Sequence, residues 1–158
     1  MENEMHEMLI ETWSIHNRIH LYLLESLPEE SMSAAMGGRG RTVFDLFAHI
    51  HNVRLMWLKP AAPDLLDGLE KIEARSAGTR DQLAAALTAS GAAVEALLRR
   101  SLFDGAKVKG FKPHAPAFLG YLISHESHHR GQIEWALKSA GIPMSDKVSY
   151  GLWEWGTR

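Results

Sequence analysis

The chain of 158 residues contains no cysteine. This absence excludes disulfides, thiolate metal sites, iron–sulfur clusters and a cysteine nucleophile. An excess of one charge is also lacking, because 17 basic residues are balanced by 19 acidic ones and the formal net charge is -2. The basic residues are scattered, so the basic stripe that nucleic-acid binding needs is missing. We therefore expect no nucleic-acid partner.

Long hydrophobic runs are missing too. No apolar stretch is long enough to span a bilayer, and the acidic start, Met1–Met5, lacks the basic and apolar regions of a signal peptide. We therefore expect a cytoplasmic protein without a membrane partner. Hydrophobic residues make up 46% of the chain, which is typical of a globular protein. Its length suits a single domain over residues 1–158.

Four long helices are predicted from hydrophobic periodicity and from the residues that begin and end helices. We place them at about Glu4–Leu27, Thr42–Lys59, Thr79–Leu102 and Pro113–Ala140, with a short helix near Asp64–Ile72. Strand signals are few. This pattern predicts an all-α four-helix bundle with a long crossover between helices 2 and 3.

Local signals support the ends of these helices. Thr42 followed by Asp45, and Thr79 followed by Gln82, have the spacing of a capping box, in which each side chain satisfies an unpaired backbone group. Gly141, with a proline two residues later, predicts the end of the last helix. The aromatic tail that follows is expected to pack back on the bundle.

Nine histidines are the unusual feature of the composition. His125 and His129 lie one helical turn apart, and Gln132 falls on the same stripe. Neutral imidazoles at this spacing can converge on one metal ion. A pair of core histidines that bond to backbone or carboxylate groups would have the same spacing. Apolar residues extend the stripe in both directions: Phe118, Leu122 and Ala136.

A third ligand is expected from another helix. The second helix offers His49 and His51, and periodicity does not choose between them because that helix is apolar on both sides. The first helix offers His16 and His20, as further ligands or as polar insertions near a bundle end. His128 is rotated to the edge of the stripe and is interpreted as a supporting or surface residue.

Two segments together resemble a known family. The string His-x-x-x-His-Arg-Gly-Gln-Ile, which begins at His125, resembles the last-helix motif of the DinB-like (DinB/YfiT) metalloprotein superfamily. The stretch Thr42–Leu58 is similar to the second helix of that family. The resemblance implies three metal ligands at His49, His125 and His129, and so selects His49 over His51. It also implies an up-down-down-up bundle, often dimeric, with zinc or nickel as the metal.

The resemblance implies a small-molecule substrate, since characterised relatives include thiol transferases that use low-molecular-weight thiols and an isomerase. Three protein ligands leave a fourth coordination position open, which suits a metal-dependent hydrolase or thiol transferase. Gln132 is the candidate catalytic residue, because it could bond a metal-bound water or orient a histidine. It could also simply pack between helices. Arg39 and Arg41, in a glycine-rich loop, could face an anionic substrate. A homodimer is expected.

Two other interpretations remain open at this point. The string from His125 also fits the His-Glu-x-x-His pattern of zinc peptidases, with Glu126 as general base and Glu154 as third ligand. Such peptidases normally contain a sheet, and none is predicted here. The other interpretation is a bundle that binds metal without catalysis. Arg130 and Glu134 are expected on a solvated face of the last helix.

Overall fold

A computed structural model describes the backbone of residues 1–158 and the side chains of all but Glu2; the surroundings of Gly38 are not described either. The described residues form five α-helices: α1 (Glu2–Ser26), α2 (Val43–Ala61), α3 (Arg80–Phe103), α4 (Ala115–Ser139) and the short α5 (Asp146–Gly151). The described chain forms no strand, only one isolated bridge near the start of α2. The prediction of an all-α protein with four long helices is confirmed.

Contacts between α1 and α3 run in opposite directions along the two helices. Trp13 donates its indole N–H to the carbonyl of Gly91 at 2.9 Å. One turn and a half earlier in α1, Glu7 accepts from Arg99, later in α3, at 2.9 Å. The two helices are therefore antiparallel.

The contacts of α2 give the remaining directions. Arg54 donates to the carbonyl of Leu87 in α3 at 3.0 Å. Ten residues before Arg54, Phe44 lies against Gly78, just before the start of α3. Helix α2 therefore runs parallel to α3. Against α4 the direction reverses, because His49 lies beside His129 whereas Arg54 reaches Glu126. The bundle is therefore up-down-down-up. The crossover joins the parallel pair α2 and α3, as predicted.

The capping box at the start of α2 is confirmed. The Thr42 hydroxyl accepts from the Asp45 N–H at 3.1 Å, and the Asp45 carboxylate accepts from the Thr42 N–H at 3.2 Å. At α3 the hydroxyl of Thr79 accepts from the Gln82 N–H at 3.1 Å, without a return bond among the described side chains. Each bond satisfies a backbone donor that the first helical turn leaves unpaired.

Several of the predicted helix boundaries differ in the structure. Helix α4 begins at Ala115, not Pro113, because the His114 ring accepts from the Ala117 N–H at 3.2 Å and so forms the cap. Helix α2 continues past Lys59 to Ala61, since a proline in the last turn removes a single hydrogen bond. The predicted helix at Asp64–Ile72 is wrong beyond a 3₁₀ turn at Pro63–Leu66.

The aromatic tail packs back on the bundle, as expected. Leu152 is buried in the core, and Trp155 packs against it. The guanidinium of Arg158 stacks 3.6 Å above the ring of Tyr22 on α1. Tyr150 and Trp153 are exceptions, because 71% and 77% of their surfaces are exposed. Within the described residues, no helix is long and apolar enough to cross a membrane.

Candidate metal centre

The antiparallel contact of α2 with α4 brings His49, His125 and His129 together. Each offers one ring nitrogen, and these three atoms lie within 4.8 Å of one another. The Nε2 atoms of His125 and His129 are 3.1 Å apart. The ring of His49 lies 4.4 Å from that of His129, centroid to centroid. Three imidazoles from two facing helices therefore converge on one point.

These imidazoles are uncharged at neutral pH. Burial lowers the pKa of His49 to about 4, aided by the charge of Arg41 and by the other two histidines. Burial also lowers the pKa of His125 and of His129. A metal ion binds the neutral form of imidazole, so the cluster is held in the protonation state that ligation requires.

Gln132 fixes the tautomer of one histidine of this cluster. Nδ1 of His129 donates to the side-chain oxygen of Gln132 at 2.8 Å. The proton is therefore on Nδ1, and the Nε2 lone pair points at the cluster. In the absence of a metal, Nε2 of His125 can donate to that lone pair. The Nδ1 atom of His125 is buried without a hydrogen-bond partner in the described residues. The donor set fits a divalent ion.

A second polar group lies deeper in the bundle, around the carboxylate of Glu126. Arg54 binds both of its oxygens, with Nε 2.7 Å from Oε1 and Nη2 2.8 Å from Oε2. The Nε2 atoms of His16 and His20 lie 2.8 and 3.0 Å from Oε2. All four side chains are almost completely buried. We call these residues the Glu126 group.

Charges in the Glu126 group are balanced within it. Burial by itself raises the pKa of Glu126, but Arg54 and the two histidines hold it well below its usual value. Burial lowers the pKa of His16, and that of His20 to about 3, so both rings are neutral. The histidine nitrogens and the carboxylate also lie within 4.8 Å of one another, so this group too could hold a metal.

Comparison with known protein families tests the resemblance that the two histidine segments suggested. The DinB family matches residues 1–154. The chain belongs to the DinB family. No curated protein matches it. The match covers all four long helices and both segments that carry the resemblance.

His51, which the sequence left as an alternative to His49, has another role in this DinB-family chain. Its Nε2 lies 2.8 Å from the carbonyl of Glu70, and its Nδ1 lies 3.1 Å from that of Ala86. Burial lowers its pKa, and a neutral ring has one N–H, so one contact at a time is a hydrogen bond. His51 thus contacts the crossover and α3, away from the cluster of His49, His125 and His129.

The peptidase ligand set is not brought together in this DinB-family chain. Glu126 is one residue beyond His125 and so points a quarter-turn around α4, into the core, where Arg54 occupies both oxygens. Glu154 lies exposed in the tail, with Arg158 3.5 Å away. Neither carboxylate belongs to the histidine cluster.

Two further expectations for α4 are settled by burial. His128 is exposed, with its ring 5.1 Å from that of His129. The solvated face expected for Arg130 and Glu134 is wrong, because Arg130 is buried and Glu134 is half-buried. Burial also raises the pKa of Glu134. Helix α4 contacts both α1 and α2, so more than one of its faces is covered.

Sequence reasoning missed the Glu126 group. The spacing of His16 and His20 was visible, but their partners lie on other helices. The only other signal was Arg54, a charged residue among apolar neighbours in the sequence of α2. Such a residue needs an opposite charge nearby when it is buried.

Proposed function

We propose that this DinB-family chain is a metal-dependent enzyme in which His49, His125 and His129 hold a zinc or nickel ion. The observation that carries the proposal is the convergence of three neutral imidazoles beside a cavity of about 620 Å³, which His49 lines. Catalytic metal sites combine three protein ligands with an accessible fourth position. A cavity of this volume is large enough for a small molecule.

Charge favours this cluster over the Glu126 group. In the Glu126 group the carboxylate is already neutralised by Arg54, and all members are buried. A divalent ion added there would leave two uncompensated positive charges without water, which is strongly unfavourable. The three-histidine cluster is partly open to solvent, so water or substrate can complete the coordination of an ion.

The chemistry follows from the open position. A dication bound there would lower the pKa of a coordinated water toward ~7 and would deprotonate a coordinated thiol, which supplies a nucleophile at neutral pH. Within the protein, Gln132 orients His129, and Arg41 adds positive charge near the cluster. We propose that water or a low-molecular-weight thiol attacks a small electrophilic substrate and displaces a leaving group, which takes up the released proton, as in a hydrolase or thiol transferase.

Zinc affinity of single variants tests the ligand assignment. We expect His49→Ala, His125→Ala and His129→Ala each to weaken zinc binding severely in a chelator-competition assay. His128→Ala is the matched control, because His128 is an exposed histidine next to His129 and should bind like the wild type. If His49→Ala keeps its affinity and Glu154→Ala loses it, the assignment is wrong.

Turnover separates the enzyme from a bundle that only binds metal. Zinc-loaded and nickel-loaded protein should hydrolyse an activated ester, or transfer a small thiol to an electrophile, and a chelator should abolish the reaction. His129→Ala should be inactive, whereas His128→Ala should be active. If all three histidines bind metal and neither reaction occurs across esters and thiols, a non-enzymatic metal-binding bundle is the better interpretation.

A further inference from the structure

Three arginines line the cavity beside His49. Arg39 and Arg41 come from the loop before α2, and Arg75 comes from the crossover after it. All three are exposed to solvent. Two segments that are distant in sequence therefore bring guanidinium groups to one cavity that opens on a proposed metal ligand.

The acidic residue in the cavity wall does not neutralise them. Asp45 uses one carboxylate oxygen to accept from the Thr42 N–H at 3.2 Å and the other to accept from the Arg75 N–H at 3.0 Å. Among the described side chains, no ion pair includes Arg39, Arg41 or Arg75. The cavity walls therefore carry a net positive charge.

Side chains of α2 hold the crossover wall in place. Asn52 bonds both backbone groups of Ile72, donating at 2.7 Å and accepting at 3.0 Å. The Asp45 bond to the Arg75 N–H follows three residues later. The backbone of Arg75 has a positive φ of 60°, which is uncommon outside glycine. Several fixed contacts thus place Arg75 in the wall of the cavity.

Arg41 lies near the metal centre. It lines the same cavity as His49. It also lines a smaller cavity of about 140 Å³ that reaches Gln132, with Arg39 in the same wall. A divalent ion at the three histidines would be repelled by these guanidinium groups, and a bound anion would relieve that repulsion.

We propose that this cavity binds the carboxylate or phosphate group of a small-molecule substrate, whose other end reaches the metal at His49. Guanidinium groups suit this role, because their donors match the oxygens of either anion in pairs. This inference rests on the proposed function for the metal and adds the chemical class of the substrate.

Calorimetric titration with two probes, succinate and inorganic phosphate, tests it. We expect zinc-loaded protein to bind at least one of them, and Arg41→Gln and Arg75→Gln each to bind about tenfold or more weakly. Arg99→Gln is the matched control, since Arg99 is an exposed arginine on α3 that pairs with Glu7. Tighter succinate binding would assign a carboxylate substrate, and tighter phosphate binding a phosphate substrate.

The zinc affinity of the same variants keeps the two proposals separate. Arg41→Gln should bind zinc at least as tightly as the wild type, because a repulsive charge is removed. If zinc binds but neither anion does, or if Arg41→Gln and Arg75→Gln bind anions normally, the anion site is wrong and the metal centre stands. If the metal-free His129→Ala protein binds anions but the wild type binds no zinc, the metal centre is wrong and the anion site stands.

Discussion

Nδ1 of His129 donates a hydrogen bond to the side-chain oxygen of Gln132, 2.8 Å away and one turn further along α4. The bond leaves the Nε2 lone pair of His129 directed at the other two histidines. Gln132, which the sequence suggested as a catalytic residue, is therefore placed to orient His129. Whether it also contacts a substrate stays a prediction.

Removing the acceptor of this bond should weaken metal binding. For Gln132→Leu we expect a loss of about 10–100-fold in zinc affinity, measured by competition with a chelator, because the tautomer of His129 is no longer fixed. Gln132→Glu keeps an oxygen acceptor and should bind zinc nearly as well as the wild type. Equal zinc affinity in the wild type and in Gln132→Leu would show that the bond does not support the ligand.

Breaking the ion pair of the Glu126 group should destabilise the fold. Glu126→Gln leaves the buried charge of Arg54 without its partner, and we expect the free energy of unfolding in urea to fall by about 3–5 kcal/mol. Asp64→Asn is the control, since it breaks an exposed pair with Arg100 and should change stability far less. Similar losses in the two variants would contradict the structural role of the Glu126 group.

Acid should destabilise the metal-free protein. The folded-state pKa of His20 is lowered to about 3 by burial, whereas in the unfolded chain it is about 6.5. Below pH 6.5 the unfolded chain therefore binds more protons, and the free energy of unfolding falls as the pH drops from 6.5 toward 3. The lowered pKa of Glu126 acts in the same direction below pH 4.5.

Urea denaturation of the metal-free protein at pH values from 7.5 to 4.5 measures this effect. We expect a steady loss of stability below pH 6.5, and a shallower loss in His20→Asn, which has no imidazole to protonate. His128→Ala removes an exposed histidine and should follow the wild-type curve. A wild-type stability that is constant over this range would contradict the buried neutral state of His20.

Much of the fold was predictable because local signals decide it. Thr42 and Asp45 form a box within one helical turn, so their spacing alone places the start of α2. The end of α4 is equally local, since Gly141 has a positive φ of 74° where a side chain would be strained. The prediction that α4 begins at Pro113 was wrong, because the cap is made by His114, a residue type that seldom has this role.

The choice between His49 and His51 could not be made from helical periodicity. Helix α2 is buried against both α3 and α4, so its two histidines lie on different covered faces. The role of His51 depends on the carbonyls of Glu70 and Ala86, whose positions follow from the path of the crossover. The family resemblance supplied the choice, and the structure brings His49 to the other two histidines.

The Glu126 group was beyond sequence reasoning for a related reason. Its hydrogen bonds join residues more than 70 positions apart, on three different helices. Within α4, Glu126 looked like part of a peptidase motif because it follows His125 directly. Only the direction of its side chain, into the core toward Arg54, shows that Glu126 forms a buried ion pair and is not placed as a general base. The homodimer and the cytoplasmic location stay predictions.

The metal content of natively purified protein tests the three-histidine centre most directly. We expect one zinc or nickel ion per chain in the wild type and in His20→Asn, and none in His129→Ala, with circular dichroism to show that each variant is folded. Two ions per chain, or an ion that survives in His129→Ala and is lost in His20→Asn, would place metal in the Glu126 group and contradict the proposal.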